Sequence, residues 1–200
     1  MRGAKMMRLF YLIIPLVLFF VTPKNASGVE PSSPVITVYS VDLDSYLGRW
    51  YEVRRIENDF QDNEPSAGDG PCFNTTADYS LLPSGKINVI NTCYRTSGPE
   101  VAVAKAHSVS GSNNAKLKVN FTGIPILEWL GIGSGDYWIL ALGEKSVENL
   151  YSWVLVGAPK LDYGWILSRT PDLSEAEIDL ALSKAETLGY DRDLFKKFQR

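Results

Sequence analysis

The feature that most constrains this sequence is a series of short segments in which apolar and polar residues alternate. In residues 116–121, Leu117, Val119 and Phe121 fall on one face of an extended chain, and polar residues fall on the other. A period of two predicts a β-strand with one buried face. Segments of this kind follow one another between residues 49 and 169, separated by short connections with turn residues.

These segments predict an all-β fold. We expect an eight-stranded antiparallel up-and-down barrel, because closing the sheet removes its exposed edges. A β-sandwich is the alternative on pattern alone. A barrel of eight strands is just wide enough to hold one small ligand.

One helix is predicted after the last strand. Ser174 and Glu177 form a capping box at its start, and Gly189 is placed to end it. Apolar residues recur at helical spacing between these positions, which predicts a helix packed on the outside of the barrel.

Composition favours one ordinary globular domain and excludes several classes of function. The chain has 200 residues and a net charge of −3, and its Lys and Arg residues are scattered, so we expect no nucleic-acid partner. His107 is the single histidine and is predicted on the outer face of a strand. No hydrolase or metal-ligand spacing is found. We therefore expect no enzyme activity, no metal and no cofactor.

The N-terminus has the pattern of a targeting segment. A basic stretch precedes an apolar run over residues 9–21, and the small residues Ala26 and Gly28 are spaced as at a cleavage site. We expect a signal peptide over 1–28, a folded domain over 29–200 and secretion to the extracellular space. An uncleaved anchor is the alternative.

Cys72 and Cys93 are the two cysteines of the chain. In an exported protein an even pair predicts one disulfide. Closing a loop of about 20 residues stabilises a protein by ~3 kcal/mol. The hairpin register does not place the two cysteines opposite each other, so the bridge requires a bulge. Asn74 and Asn120 begin N-glycosylation sequons, and alternation places Asn120 on the face toward water.

Three motifs resemble those of the lipocalins, in particular the branch of apolipoprotein D and the bacterial lipocalins. YLGRWYEV resembles the G-x-W opening, DYSLLPSGKINVIN the first hairpin, and DYGWILSRTPDLS the last strand and entry to the helix. The resemblance implies that Gly48 lets the chain turn into the first strand. It also implies that Arg169 stacks on Trp50 and closes one end of the barrel. One departure is GEKSVEN, where the family has T-D-Y.

The resemblance implies a secreted carrier of one small hydrophobic molecule, such as a fatty acid, lysophospholipid, sterol or retinoid-like compound. Alternation also places Ala102, Ala104 and Ala106 of the fourth strand inward, which leaves room for a ligand. Their neighbours make the predicted cavity mostly apolar with a few polar groups, as small-molecule sites usually are. The expected ligand-binding residues are Tyr79, Val89, Asn91, Ala104, Val119, Phe121, Tyr137, Ile139, Tyr163 and Trp165.

Two other functions are weighed against the carrier. Cys93 shares the inward face of its strand and, if unpaired, its thiolate could act on a bound lipid. The connection GIPILEWLGIGSG (123–135) is unusually apolar. It is interpreted either as a lid over the barrel or as a contact with a membrane, lipoprotein or partner. The second interpretation makes the chain an interaction protein.

Two charged residues of the first strand share the side of Trp50. Glu52 and Arg54 either form an ion pair inside the barrel or flank a bulge and face water. An unpaired charge inside the barrel is excluded by its desolvation cost.

Overall fold

The computed structural model describes residues 34–62, 70–121 and 133–198. The predicted signal peptide (1–28) and most of loop 123–135 lie outside the described residues. The elements in chain order are α1 (Leu43–Tyr46), β1 (Gly48–Ile56), α2 (Asp59–Asp62), β2 (Phe73–Leu81), β3 (Ile87–Arg95), β4 (Gly98–Ser108), β5 (Lys116–Asn120), β6 (Ser134–Leu142), β7 (Trp153–Gly157), β8 (Gly164–Ser168), α3 (Glu175–Thr187), a 3-10 turn (Arg192–Leu194) and β9 (Phe195–Lys196). Within the described ranges, no helix is long and apolar enough to cross a membrane.

Strands β1 to β8 form one closed antiparallel sheet. Each strand pairs with the next along the chain, and β1 completes the ring by pairing with both β2 and β8. Tyr51 lies opposite Thr76 on one side and opposite Ser168 on the other. The predicted up-and-down barrel is therefore confirmed, and the sandwich alternative is wrong.

The second half of β1 is covered by a short strand that the sequence analysis did not predict. Pairing between β1 and β2 ends at Tyr51, before the second half of β1. There β9 pairs with β1, with Arg55 opposite Lys196 and Ile56 opposite Phe195. The C-terminal strand β9 thus covers the edge of β1 that would otherwise be exposed.

Up-and-down topology places alternate connections at opposite ends of the barrel. Helix α1 precedes β1 and lies at the end that also receives the β2–β3, β4–β5 and β6–β7 connections. We call this the closed end. The β1–β2, β3–β4, β5–β6 and β7–β8 connections meet at the other end, which we call the mouth.

Helix α3 packs on the outside of the barrel, as predicted. Both hydrogen bonds of the Ser174–Glu177 capping box are present at its start. Its buried residues Ile178, Ala181 and Ala185 join an apolar cluster with outward-facing residues of the barrel. The barrel interior holds a second, separate apolar cluster. The helix packs against the outer cluster, and the interior cluster is formed without it.

Candidate functional site

The closed end of the interior is built around Trp50. Its side chain is fully buried, and its Nε1 donates to the carbonyl of Tyr46 at 2.8 Å. The guanidinium of Arg169 lies over the indole, 3.7 Å from its Cζ to the ring centroid, and donates to the carbonyls of Ser45 and Tyr46. Gly48 has a φ of +95°, and a Cβ there would lie 3.4 Å from Nη1 of Arg169. The backbone turn and the stacked pair together seal this end.

A salt bridge fastens helix α1 to the β6–β7 connection, where the sequence departs from the family motif. Lys145 Nζ lies 2.8 Å from Oδ2 of Asp42, which caps α1 and also accepts from the Ser45 hydroxyl at 2.7 Å. The hydrogen bond from Lys145 is the main cause that lowers the pKa of Asp42 to about 2. The connection thus supplies a cation that holds the helix over the barrel end.

The interior wall is apolar and partly made of small residues. Ala77, Ala104 and Ala106 belong to the interior cluster. Five of the predicted ligand-binding residues are buried in that same cluster, and Tyr137 and Trp165 pack against it. Those five residues are Tyr79, Val89, Ala104, Val119 and Ile139.

Three inward-facing residues are only partly buried, unlike their neighbours on the interior wall. Asn91 lies opposite Ala77 and Ala102 in the register of β3, two residues from buried Val89. Asn91, Tyr137 and Trp165 are each only partly buried. We infer from this partial burial that the barrel interior holds unfilled space beside these side chains. We call this space the interior hollow.

The rim of the mouth differs from the sequence prediction. Phe121 is 47% exposed and Tyr163 is 36% exposed, because β5 ends at Asn120 and β8 begins only at Gly164. Both side chains lie at the rim rather than inside the barrel. Ala102, expected to face inward, is likewise exposed near the start of β4.

Asn120 also departs from its predicted position. Its side chain was expected to face water, but it is buried, with 8% exposed. Asn120 lies between Lys105 of β4 and Ser134 of β6 in the sheet register. Alternation predicts which face of the sheet a residue occupies, but it does not predict how deeply the side chain is buried at the end of a strand. Asn74, at the other sequon, is exposed.

Three tyrosines meet at the closed end of the interior hollow. The hydroxyls of Tyr46 and Tyr137 lie 2.6 Å apart, and Tyr79 donates to the hydroxyl of Tyr137 at 3.1 Å. Burial is the main cause that raises the pKa of all three phenols well above their usual range. All three groups are therefore protonated at neutral pH. We call Tyr46, Tyr79 and Tyr137 the tyrosine triad.

A buried ion cluster occupies the mouth side of the interior. Arg55 is fully buried and pairs with Glu52 and Asp62, and it donates to the carbonyl of Cys72 at 2.9 Å. The partner of Glu52 is thus Arg55 and not Arg54. A bulge between Glu52 and Arg54 is the reason, because it shifts the following residues of β1 to the opposite face. Burial is the main cause that raises the pKa of Glu52.

Helix α2 lies across part of the mouth and is tied to the interior. Gln61 Nε2 donates to Glu52 at 2.8 Å, and its Oε1 accepts from Nε1 of Trp165 at 3.0 Å. The ring of Phe60 contacts those of Trp165 and Tyr163. Arg95, the last residue of β3, donates to the backbone carbonyls of Phe60 and Gln61.

Cys72 and Cys93 form the predicted disulfide, with their Cα atoms 5.4 Å apart. A register shift between Phe73 and Thr76 supplies the expected bulge. Cys72, Cys93 and Glu100 are the group of potential metal ligands in the described chain, but both sulfurs are used in the bridge. The hypothesis of a free Cys93 thiolate is therefore wrong.

Two hollows on the outer surface differ from the interior hollow. One of about 430 Å³ lies between the N-terminal segment and the β4–β5 connection, and one of about 390 Å³ lies between the β6–β7 connection and the start of α3. Both are wide open to solvent, and neither is lined by Asn91, Tyr137 or Trp165. We place the candidate site in the interior because buried apolar and polar groups converge there.

Several residues of the site were not found from the sequence. Tyr46 ends the single helical turn α1, four residues before Trp50. One turn is too short to show a periodic pattern, so the inward position of Tyr46 follows from tertiary packing alone. Arg55 reaches the interior only because of the bulge. Gln61 lies in a polar segment without periodicity that could indicate its contacts.

Comparison with known proteins agrees with this architecture. Residues 41–200 match the family model described as a lipocalin-like domain. The outer membrane lipoprotein Blc of Vibrio cholerae is 30% identical over 187 residues, covering 92% of this chain and 94% of that protein. Apolipoprotein D of Rattus norvegicus is 33% identical over 177 residues, covering 84% and 82%. Insecticyanin from the tobacco hornworm Manduca sexta, a solved structure, has a TM-score of 0.58 at 18% identity and covers 82% and 83%.

Proposed function

Because this chain belongs to the lipocalin family, whose members bind small hydrophobic ligands, we propose that it is a secreted carrier of one such molecule. The ligand occupies the interior hollow, with the aliphatic wall around Ala104 and Val89 against its apolar body. Fatty acids, lysophospholipids, sterols and retinoid-like compounds are the candidate classes. Burial of apolar surface at ~25 cal/mol per Å² drives binding, offset by the cost of ordering the ligand.

One observation carries this proposal. Asn91, Tyr137 and Trp165 point into a closed sheet and still keep accessible surface. A fully packed barrel would bury such side chains, as it buries Ile139 and Val156 completely. The hollow beside these three residues offers apolar contacts together with an amide and a phenol.

The proposed role is that of a carrier and not of an enzyme. Both cysteines are used in the disulfide, which removes the one nucleophile that the sequence offered inside the barrel. His107 is exposed and lies opposite Lys118 on the outer face. Neither group is placed to act on a molecule held in the interior.

Export is proposed on two grounds. The pattern of residues 1–28 is that of a cleaved signal peptide, which leaves 29–200 as the mature domain. A disulfide between Cys72 and Cys93 is expected to persist in an oxidising compartment. Asn74 is the better of the two glycosylation candidates because it is exposed and Asn120 is buried. A membrane or lipoprotein contact through loop 123–135 remains a proposal from the sequence.

Ligand titration of the mature protein tests the carrier proposal. We expect saturable quenching of tryptophan fluorescence, at one site per chain, by at least one of the four ligand classes. The variant Trp165→Ala is expected to bind about tenfold more weakly, because it removes a large contact surface at the hollow. Tyr39→Ala is the matched control, since Tyr39 is 88% exposed outside the barrel. Equal affinity for both variants would contradict an interior site.

A further inference from the structure

The tyrosine triad has one more hydroxyl proton than it has hydrogen bonds. Three hydroxyls share two hydrogen bonds, Tyr46 with Tyr137 and Tyr79 with Tyr137. Each bond uses one proton, so one phenolic proton is left without a partner among the described residues. A buried donor without an acceptor costs about 1–3 kcal/mol. The arrangement therefore calls for an acceptor supplied from the hollow.

Tyr137 is the member that can offer this proton to a ligand. Tyr46 is 1% exposed and Tyr79 is 6% exposed, whereas Tyr137 keeps accessible surface. A hydroxyl hydrogen rotates to suit its neighbours, and either oxygen of the Tyr46–Tyr137 pair can act as donor. When Tyr46 and Tyr79 both donate to Tyr137, the proton of Tyr137 is directed elsewhere.

The triad is held rigidly at the closed end of the hollow. The carbonyl of Tyr46 accepts from both Trp50 and Arg169. The ring of Tyr46 lies 5.3 Å from that of Trp50 and 5.8 Å from that of Tyr79, between ring centroids. A fixed donor at the deep end of an apolar space defines the orientation of a ligand.

The charges around the hollow disfavour an anion. Three guanidinium groups of the described chain, at the mouth and at the closed end, already have partners. Arg55 pairs with Glu52 and Asp62, Arg95 pairs with Glu100, and Arg169 donates to backbone carbonyls. In these ion pairs of the described residues, three carboxylates (Glu52, Asp62 and Glu100) are paired with two guanidinium groups. A carboxylate brought to the triad would lose its hydration and gain only phenol donors.

Resting on the carrier proposal, we infer that the ligand enters with a neutral hydrogen-bond acceptor first, a ketone, ester or hydroxyl oxygen that accepts from Tyr137. Fatty-acid anions are excluded from this orientation. Among the candidate classes, sterols and retinoid-like compounds with an uncharged oxygen fit this requirement.

The test compares three probes of equal chain length: a methyl ketone, the alkane, and the fatty-acid anion at neutral pH. Displacement of a fluorescent apolar dye measures affinity. We expect the ketone to bind about tenfold more tightly than the alkane, a difference of ~1.4 kcal/mol. Infrared spectra of the ketone, labelled isotopically at its carbonyl, should show a shift to lower frequency on binding.

Two variants separate the role of Tyr137 from a general effect on the fold. Tyr137→Phe should abolish both the infrared shift and the advantage of the ketone over the alkane. Tyr79→Phe should keep both, because Tyr46 and Tyr137 then share one bond and one proton is still spare. Tyr39→Phe, outside the barrel and 88% exposed, should behave like the wild type.

The outcomes distinguish this inference from the function on which it rests. Equal binding of ketone and alkane with an unshifted carbonyl means that water takes the spare proton, and overturns the inference while the carrier stands. Preference for the fatty-acid anion would also overturn the inference and leave the carrier proposal standing. Failure of the dye and all three probes to bind overturns both proposals.

Discussion

Arg169 lies over Trp50 from outside the barrel interior, with 3.7 Å between the guanidinium carbon and the centroid of the indole. The same guanidinium donates to the carbonyls of Arg49, Ser45 and Tyr46. One cation thus fixes the indole, the helix before β1 and the turn into β1. The pair is part of the closure of the barrel, and the hollow lies on the other side of the indole.

Loss of Trp50 is expected to destabilise the protein far more than loss of Trp165. Trp50→Ala removes a fully buried side chain and should lower the free energy of unfolding by ~3–5 kcal/mol. Trp165 is only partly buried, so Trp165→Ala should cost about 1 kcal/mol. Urea unfolding followed by circular dichroism measures both. The reverse order would mean that the two ends of the barrel are assigned the wrong way round.

Arg55 and Arg54 are neighbours with opposite expected effects. Arg55→Met leaves the buried carboxylates of Glu52 and Asp62 without their cation and should cost ~3–5 kcal/mol in stability. Arg54→Met is the control, because Arg54 is partly exposed and its one hydrogen bond within the described residues goes to the carbonyl of Val53. Its effect should stay within ~0.5 kcal/mol. Similar losses for the two variants would contradict the bulge that separates them.

Acid should weaken the closed end through Asp42. The folded pKa of this carboxyl is lowered to about 2, against ~3.9 in an unfolded chain. Its stabilising contribution is therefore present above about pH 4 and is lost as the pH falls toward 2. Asp42→Asn should lower the thermal midpoint at neutral pH and reduce its fall between pH 5 and pH 2. Asp44→Asn serves as control, because Asp44 has no ion pair among the described residues. An unchanged pH profile for Asp42→Asn would argue against the Lys145 salt bridge.

The disulfide predicts a thiol count and a loss of stability. Titration of the unreduced, denatured protein should find no free thiol, since Cys72 and Cys93 are bridged. The double variant Cys72→Ser/Cys93→Ser should lose ~3 kcal/mol of unfolding free energy and keep its ligand affinity. Two titratable thiols in protein purified without reductant would contradict the bridge and restore Cys93 as a candidate nucleophile.

The barrel could be predicted from sequence because alternation and turn residues act locally. Leu117 and Val119 are buried inside as their spacing requires, and the capping box of α3 needs only Ser174 and Glu177. The disulfide could be predicted because the chain has two cysteines. Such features depend on neighbours along the chain, which the sequence displays directly.

The rest depends on contacts between distant segments. Arg55 was missed because a single bulge reverses the face of each following residue. The two-residue strand β9 has no periodicity of its own and is formed by pairing with the second half of β1. Asn120 is buried although the alternation places it on the outer face of the sheet. The tyrosine triad joins α1, β2 and β6, which no local pattern connects.

The carrier account is tested most directly by native mass spectrometry of the mature protein, recorded before and after incubation with a sterol or retinoid that carries an uncharged oxygen. The account predicts a shift by the mass of one ligand per chain, reduced for Trp165→Ala and unchanged for Tyr39→Ala. A spectrum that shows only the bare polypeptide with every ligand class, or adducts that both variants retain equally, would contradict it.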